Sequence, residues 1–132
     1  MYLASICDLI GQEKVITIDI EEREGKPNHK RITYIIGSSI SEETVEKVKK
    51  LVKEGEKVLV ILDSDHRKEH VLKELRIYSK FVTKGSYIIV EDTNINGNPV
   101  FPEYGPGPME AVKEFLRENK VIPKKNKIGR WR

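Results

Sequence analysis

The sequence predicts an α/β domain built on a mostly parallel sheet, and three observations carry the prediction. Four short apolar runs, KVITIDI at 14–20, RITYIIG at 31–37, KVLVIL at 57–62 and SYIIV at 86–90, are interspersed with stretches of helical periodicity. Each run is nearly all apolar instead of alternating, as expected of parallel strands covered on both faces. Several of the runs also stop on acidic residues: Asp19, Asp63, and the pair Glu91 and Asp92.

The elements follow in order. A first helix is expected over Tyr2 to Ile10, with Leu3, Ile6, Cys7 and Ile10 on one stripe and Gly11 at its C-terminal stop. After the first strand, EEREGKPNHK at 21–30 is a polar loop broken by Gly25 and Pro27. Ser41, followed by Glu43 and Glu46, starts a second helix through Lys53, with Val45, Val48, Leu51 and Val52 inward and Gly55 as its stop. A third helix is expected from Arg67 to Val82, burying Val71, Leu72, Leu75, Tyr78 and Phe81. EDTNINGNPVFPEYGPGP holds four prolines and three glycines in eighteen residues, a composition for turns and for a loop with a function. A last helix is expected over Met109 to Glu118, before a basic tail.

Bulk properties set the limits. A chain of 132 residues is read as one domain, 1–132, able to bury roughly two-thirds of its unfolded surface. Its net charge of +3 comes from 24 basic against 21 acidic residues, a mixed and solvated balance that does not announce nucleic-acid binding. The basic tail, Lys120, Lys124, Lys125, Lys127, Arg130 and Arg132 with Trp131, has one aromatic and no recognisable motif. The single cysteine, Cys7, excludes a disulfide framework and reads as a small core residue in a reducing compartment. No signal peptide is recognised, and no run approaches the ~20 apolar residues of a membrane span, so a soluble, cytoplasmic protein is expected.

In open parallel sheets, ligands bind beyond the carboxyl ends of the strands. Asp19, Ser38, Asp63 and Glu91 should therefore share one edge. Acidic groups gathered within ~4 to 8 Å repel one another unless a cation sits among them, and oxygen ligands favour a hard ion such as Mg²⁺. The alternative for Asp63 or Asp65 is a capping role ahead of Arg67.

The block from Ile61 to Leu116 resembles the cephalosporin hydroxylase and rhamnosyl O-methyltransferase family, class I methyltransferases that use S-adenosylmethionine. The family's DSxH, GSYxxVEDT and GPGPxxAV motifs stand as Asp63 to His66, Gly85 to Thr93 and Gly105 to Val112, and IDIEER and IIGSS are similar to its preceding strands. The resemblance implies a Rossmann-like three-layer sandwich and O-methyl transfer to a hydroxyl of a small molecule or glycan. It implies Mg²⁺ held by Asp63, Glu91 and Asp92, with Asp65 in reserve and His66 as the general base, a role that suits an imidazole at neutral pH. His70, one turn on, is read as a supporting or surface residue, and His29 carries no signal. The cofactor would contact Asp19 at its ribose, with Glu21 as the other option, Ser38 and Ser39 near its adenine, and Asp63.

The chain departs from the family at its start. The central first strand, between those at 14–20 and 57–62, and the glycine-rich turn that holds the methionine end of the cofactor are expected upstream of Tyr2. A domain without them should bind S-adenosylmethionine weakly. Two readings compete on that ground: an incomplete methyltransferase domain, or a non-catalytic remnant binding a metal or a partner, completed by a second copy or another chain.

Overall fold

The structure, a computed structural model, describes residues 1–120 as two compact units, Met1–Lys57 and the residues from Val58 onward. The tail residues Lys124, Lys125, Lys127, Arg130, Trp131 and Arg132 lie outside the described residues.

The first unit opens with α1, Tyr2–Ile10, as expected from its apolar stripe, and Gly11 closes it in the left-handed conformation, φ 103°, its N–H donating to the Cys7 carbonyl. Ala4 and Cys7 are its buried residues, so the lone thiol is a core group. Strands β1, Val15–Asp19, and β2, Ile32–Ile36, pair in parallel from Val15 opposite Ile32 to Asp19 opposite Ile36. The connecting loop is clamped by Asp8. Arg31 Nε donates to Asp8 Oδ1 at 3.0 Å, and His29 Nε2 lies 3.1 Å from Asp8 Oδ2. Helix α2, Glu42–Leu51, starts at Ser41, whose hydroxyl accepts from the Thr44 N–H, and buries Thr44 and Val48.

The second unit holds β3, Val60–Leu62, parallel to β4, Ile88–Val90, with Leu62 opposite Val90. Both strands are shorter than the apolar runs predict. The reason at the start of β3 is a change of partner: the Val58 N–H donates to the Thr83 hydroxyl at 3.0 Å instead of joining a ladder. Helix α3, Lys68–Tyr78, tightens into a 3₁₀ turn at Ser79–Phe81 and packs against α4, Pro108–Glu118. Val71, Leu72, Leu75 and Tyr78 form the core with Leu62, Ile95 and Ala111, and Arg76 pairs with Glu118 at the rim.

The expectation of an α/β chain with parallel pairing holds, as two two-stranded sheets, β1-β2 and β3-β4. Coverage on both faces does not hold. Ile35 is buried while its neighbours Tyr34 and Ile36 are 37% and 38% exposed, and Ile61 and Ile89 are open to a similar degree. Among the described residues β1 and β4 hold no buried residue, and the apolar composition of the strands exceeds what is buried. No helix among the described residues is long and apolar enough to cross a membrane.

Gly37 ends β2 at φ 150°, and a Cβ there would meet the Thr44 hydroxyl at 2.6 Å. Thr44 is 2% exposed and has little room to give way. Gly37→Ala is expected to destabilise the chain by about 1–3 kcal/mol in urea unfolding, from backbone strain and the clash together.

Candidate functional site

The parallel register of β3 and β4 sets the site in the second unit. With Leu62 opposite Val90, the residues that follow each strand emerge at one end of the pair, and the Glu91 N–H still donates to the Leu62 carbonyl at 3.0 Å. Asp92 then turns the chain in the left-handed region, φ 49°, a conformation that aspartate tolerates better than most residues. The outcome is a cluster. One ligand atom each of Asp63, His66 and Asp92 lie within 4.8 Å of one another. His66 Nε2 is 3.1 Å from Asp92 Oδ2 and 3.5 Å from Asp63 Oδ1. That nitrogen is shielded from solvent yet makes no hydrogen bond of acceptable geometry, despite the short approach to Asp92.

Glu91, expected among the metal ligands, is exposed and does not belong to this group. Asp65, the reserve ligand, is turned away. Its Oδ1 accepts from the Arg67 N–H at 2.9 Å and its carboxylate grips the Arg67 guanidinium, a local turn and ion pair just before α3, which has no side-chain cap. Among the adjacent acids the geometry therefore selects Asp63 over Asp65. His70 lies 3.5 Å from Glu74, outside the cluster, as a supporting residue would. Burial, and then the Glu74 carboxylate, push the Tyr78 phenol up to about 12.

The long loop after β4 is an ordered part of the site. The Val100 N–H donates to Asn94, Asn98 Nδ2 reaches the Ile95 carbonyl at 2.9 Å, and Ile95 is buried. Its far end is pinned to the histidine segment: the Lys68 N–H donates to the Pro106 carbonyl at 3.0 Å, and a Cβ on Gly107 would sit 3.3 Å from the His66 carbonyl and 3.2 Å from Ile95. The glycine is what permits this approach. Glu110 accepts from the Gly107 N–H at 2.8 Å and closes the start of α4.

In the first unit, Asp19, Ser38 and Ser39 fall at the carboxyl end of the β1-β2 pair. Asp19 Oδ1 accepts from the Glu21 N–H at 3.1 Å, and Arg23 approaches Oδ2 at 3.2 Å. The Ser38 carbonyl accepts from the Ser41 N–H at 3.0 Å. These residues belong to the first unit and the Asp63 group to the second.

Two carboxylates beside an imidazole can hold a divalent ion, or can share a proton on the imidazole. Coulomb repulsion at this separation is about 1 kcal/mol in water. Asp63 and Asp92 side chains are 63% and 46% exposed, so repulsion of that size does not by itself demand an ion. His66 Nε2 makes no hydrogen bond to either carboxylate, which leaves it able to accept a proton. Sequence reading missed Glu74, a buried acid in a helix of ordinary pattern. A glutamate on the same face as Val71, Leu75 and Tyr78 was the available signal.

Arg67 holds the Asp65 carboxyl down at about 2. A carboxyl lowered on folding contributes stability that is fully present above its unfolded value, near 3.8, and is lost as pH falls through about 2. Carboxyl NMR titration should find Asp65 still ionised at pH 3, and Arg67→Gln should return its midpoint toward 3.8.

The sequence profile of the rhamnosyl O-methyltransferase/CmcI family matches residues 1–128. The chain is 38% identical over 123 residues to rhamnosyl O-methyltransferases of Mycobacterium tuberculosis H37Rv and Mycobacterium bovis BCG Pasteur, covering 89% of this chain and 50% of each relative. It is 36% identical over 122 residues to that of Mycobacterium leprae, covering 89% of this chain and 53% of the relative. The chain thus spans about half the length of the curated relatives it matches. No solved structure matches it significantly. With its profile match running through both units and its motifs forming the Asp63, His66 and Asp92 group, the chain belongs to the rhamnosyl O-methyltransferase/CmcI family.

Proposed function

We propose that the chain carries the ion and base site of an O-methyltransferase that moves a methyl group from S-adenosylmethionine to a sugar hydroxyl, a rhamnosyl hydroxyl by analogy with its relatives' names. The observation that carries the proposal is the convergence of Asp63, His66 and Asp92 within 4.8 Å around a histidine nitrogen without a hydrogen bond. The donor set fits Mg²⁺, since two carboxylates supply hard oxygens and water completes the coordination. Such an ion supplies Lewis acidity that lowers the pKa of an acceptor hydroxyl.

The chain's own residues do the rest. Asp63 and Asp92 orient the acceptor by holding its ion. His66 takes the hydroxyl proton at Nε2 as the oxygen attacks the methyl carbon, and the carbon–sulfur bond breaks in the same step, leaving the neutral thioether. The loop between Asn94 and Gly107, pinned to His66 through Gly107, borders the acceptor position. In the first unit, Asp19 would accept from ribose hydroxyls, with Ser38 and Ser39 toward the base. The Rossmann-like three-layer sandwich belongs to the same proposal: it is supported by the two parallel pairs and their partly exposed apolar strands. Further strands, from a longer chain or a second copy, would extend these pairs at their edges, and further helices would cover their faces.

His66 as base and His66 as ligand differ in outcome. Isothermal titration with Mg²⁺ or Mn²⁺ should show Asp63→Asn and Asp92→Asn weakening affinity by at least ~10-fold, with His66→Ala close to wild type. Turnover of the active enzyme measured with labelled S-adenosylmethionine should fall by ~10² to 10⁴-fold in His66→Ala. Ion binding without any methyl transfer from an assembly of full family length would favour the non-catalytic remnant.

A further inference from the structure

Glu74 is the buried acid that the proposed chemistry does not use. It is 2% exposed on α3, on the face that also buries Val71, Leu75 and Tyr78. One of its oxygens, Oε1, accepts from the Ser64 hydroxyl at 2.8 Å and lies 3.5 Å from His70 Nε2. The other, Oε2, is buried with no hydrogen-bond partner. A carboxylate in such a place is costly to desolvate, and a leucine of similar volume would suit the surrounding core better. Core stability therefore does not explain it.

Its hydrogen bond from Ser64 points to a role. Ser64 stands between Asp63, in the ion and base cluster, and Asp65, which is turned to Arg67. The segment 63–67 is anchored by main chain at both ends, at Leu62 through the Glu91 N–H and at Lys68 through the Pro106 carbonyl. Between those anchors Ser64 reaches ten residues along the chain to Glu74. With the serine hydroxyl held by Glu74, the neighbouring Asp63 meets His66 and Asp92.

We propose that Glu74 is a positioning residue, which through Ser64 fixes the segment that carries Asp63 and His66. Its bearing on methyl transfer rests on the function proposed above. The placement of the segment does not.

The test uses three variants of the 132-residue chain and two readouts. Ser64→Ala removes the donor, Glu74→Leu removes the acceptor while keeping the volume, and Glu74→Gln keeps an acceptor oxygen. Amide hydrogen exchange of Arg67 and Lys68, whose N–H groups donate to Asp65 and to the Pro106 carbonyl, should accelerate about tenfold in Ser64→Ala and Glu74→Leu, as for one lost hydrogen bond to a carboxylate, and return near wild type in Glu74→Gln. Exchange in the middle of α3 reports on the fold and should stay unchanged in Ser64→Ala. Mn²⁺ titration by paramagnetic resonance should follow the same order, with weakened binding in Ser64→Ala and Glu74→Leu and rescue in Glu74→Gln. Wild-type exchange at Arg67 and Lys68 in Ser64→Ala would overturn the proposal, as would Glu74→Leu with unaltered exchange there. A wild-type chain that binds no Mn²⁺ sinks the ion reading, and the exchange data then decide the role of Glu74 alone.

Discussion

The parallel register of β3 and β4 is the constraint on which the second unit depends. Because Leu62 stands opposite Val90, two separate stretches of sequence deliver acids to one end of the pair. A shift of one residue would carry the apolar set of either strand to its other face, so burial of Leu62 also fixes where Asp63 begins. Packing and site geometry are one decision here. The left-handed turn at Asp92 completes it, and the loop that follows is folded back to touch the His66 carbonyl at Gly107.

Around that frame the charges are sorted by partner. Asp65 is committed to Arg67, Glu110 to the start of α4, and Glu74 to Ser64. Asp63 and Asp92 are left with His66. Lysine and arginine pairs lie elsewhere: Lys68 with Glu114, 2.7 Å apart, and Arg76 with Glu118 join α3 to α4 and are exposed enough to add little stability. In the second unit the acids of the helices α3 and α4 have partners, whereas Asp63 and Asp92 face one another across His66.

Much of this was legible in the sequence, for physical reasons that differ by element. Helix α1 was readable end to end because its stripe and its stop, Gly11, are both local signals. That Asp63 and Asp92 come together was readable because the ends of parallel strands converge, whereas His66 was legible only through its motif. Strand lengths were not, since a ladder ends where its partner does: Val58 and Leu59 are as apolar as a strand requires, yet Val58 bonds to Thr83. The choice of Asp92 without Glu91 depends on a single left-handed residue, and the choice of Asp63 over Asp65 on one arginine two positions away. Glu74 was hidden because a helical period shows which face is buried but not that an acid on that face has a tertiary partner. The apolar excess of the strands over their observed burial is also a sequence-level fact, and it agrees with relatives about twice as long as this chain.

The central claim is that Asp63 and Asp92 hold a divalent ion beside His66. The most direct test is anomalous diffraction from crystals of the chain grown with Mn²⁺. The account predicts one anomalous peak ~2.1–2.3 Å from a carboxylate oxygen of each aspartate, with His66 Nε2 beyond bonding distance of the ion. A map with no peak there, and with the His66 ring hydrogen-bonded between the two carboxylates, would contradict it.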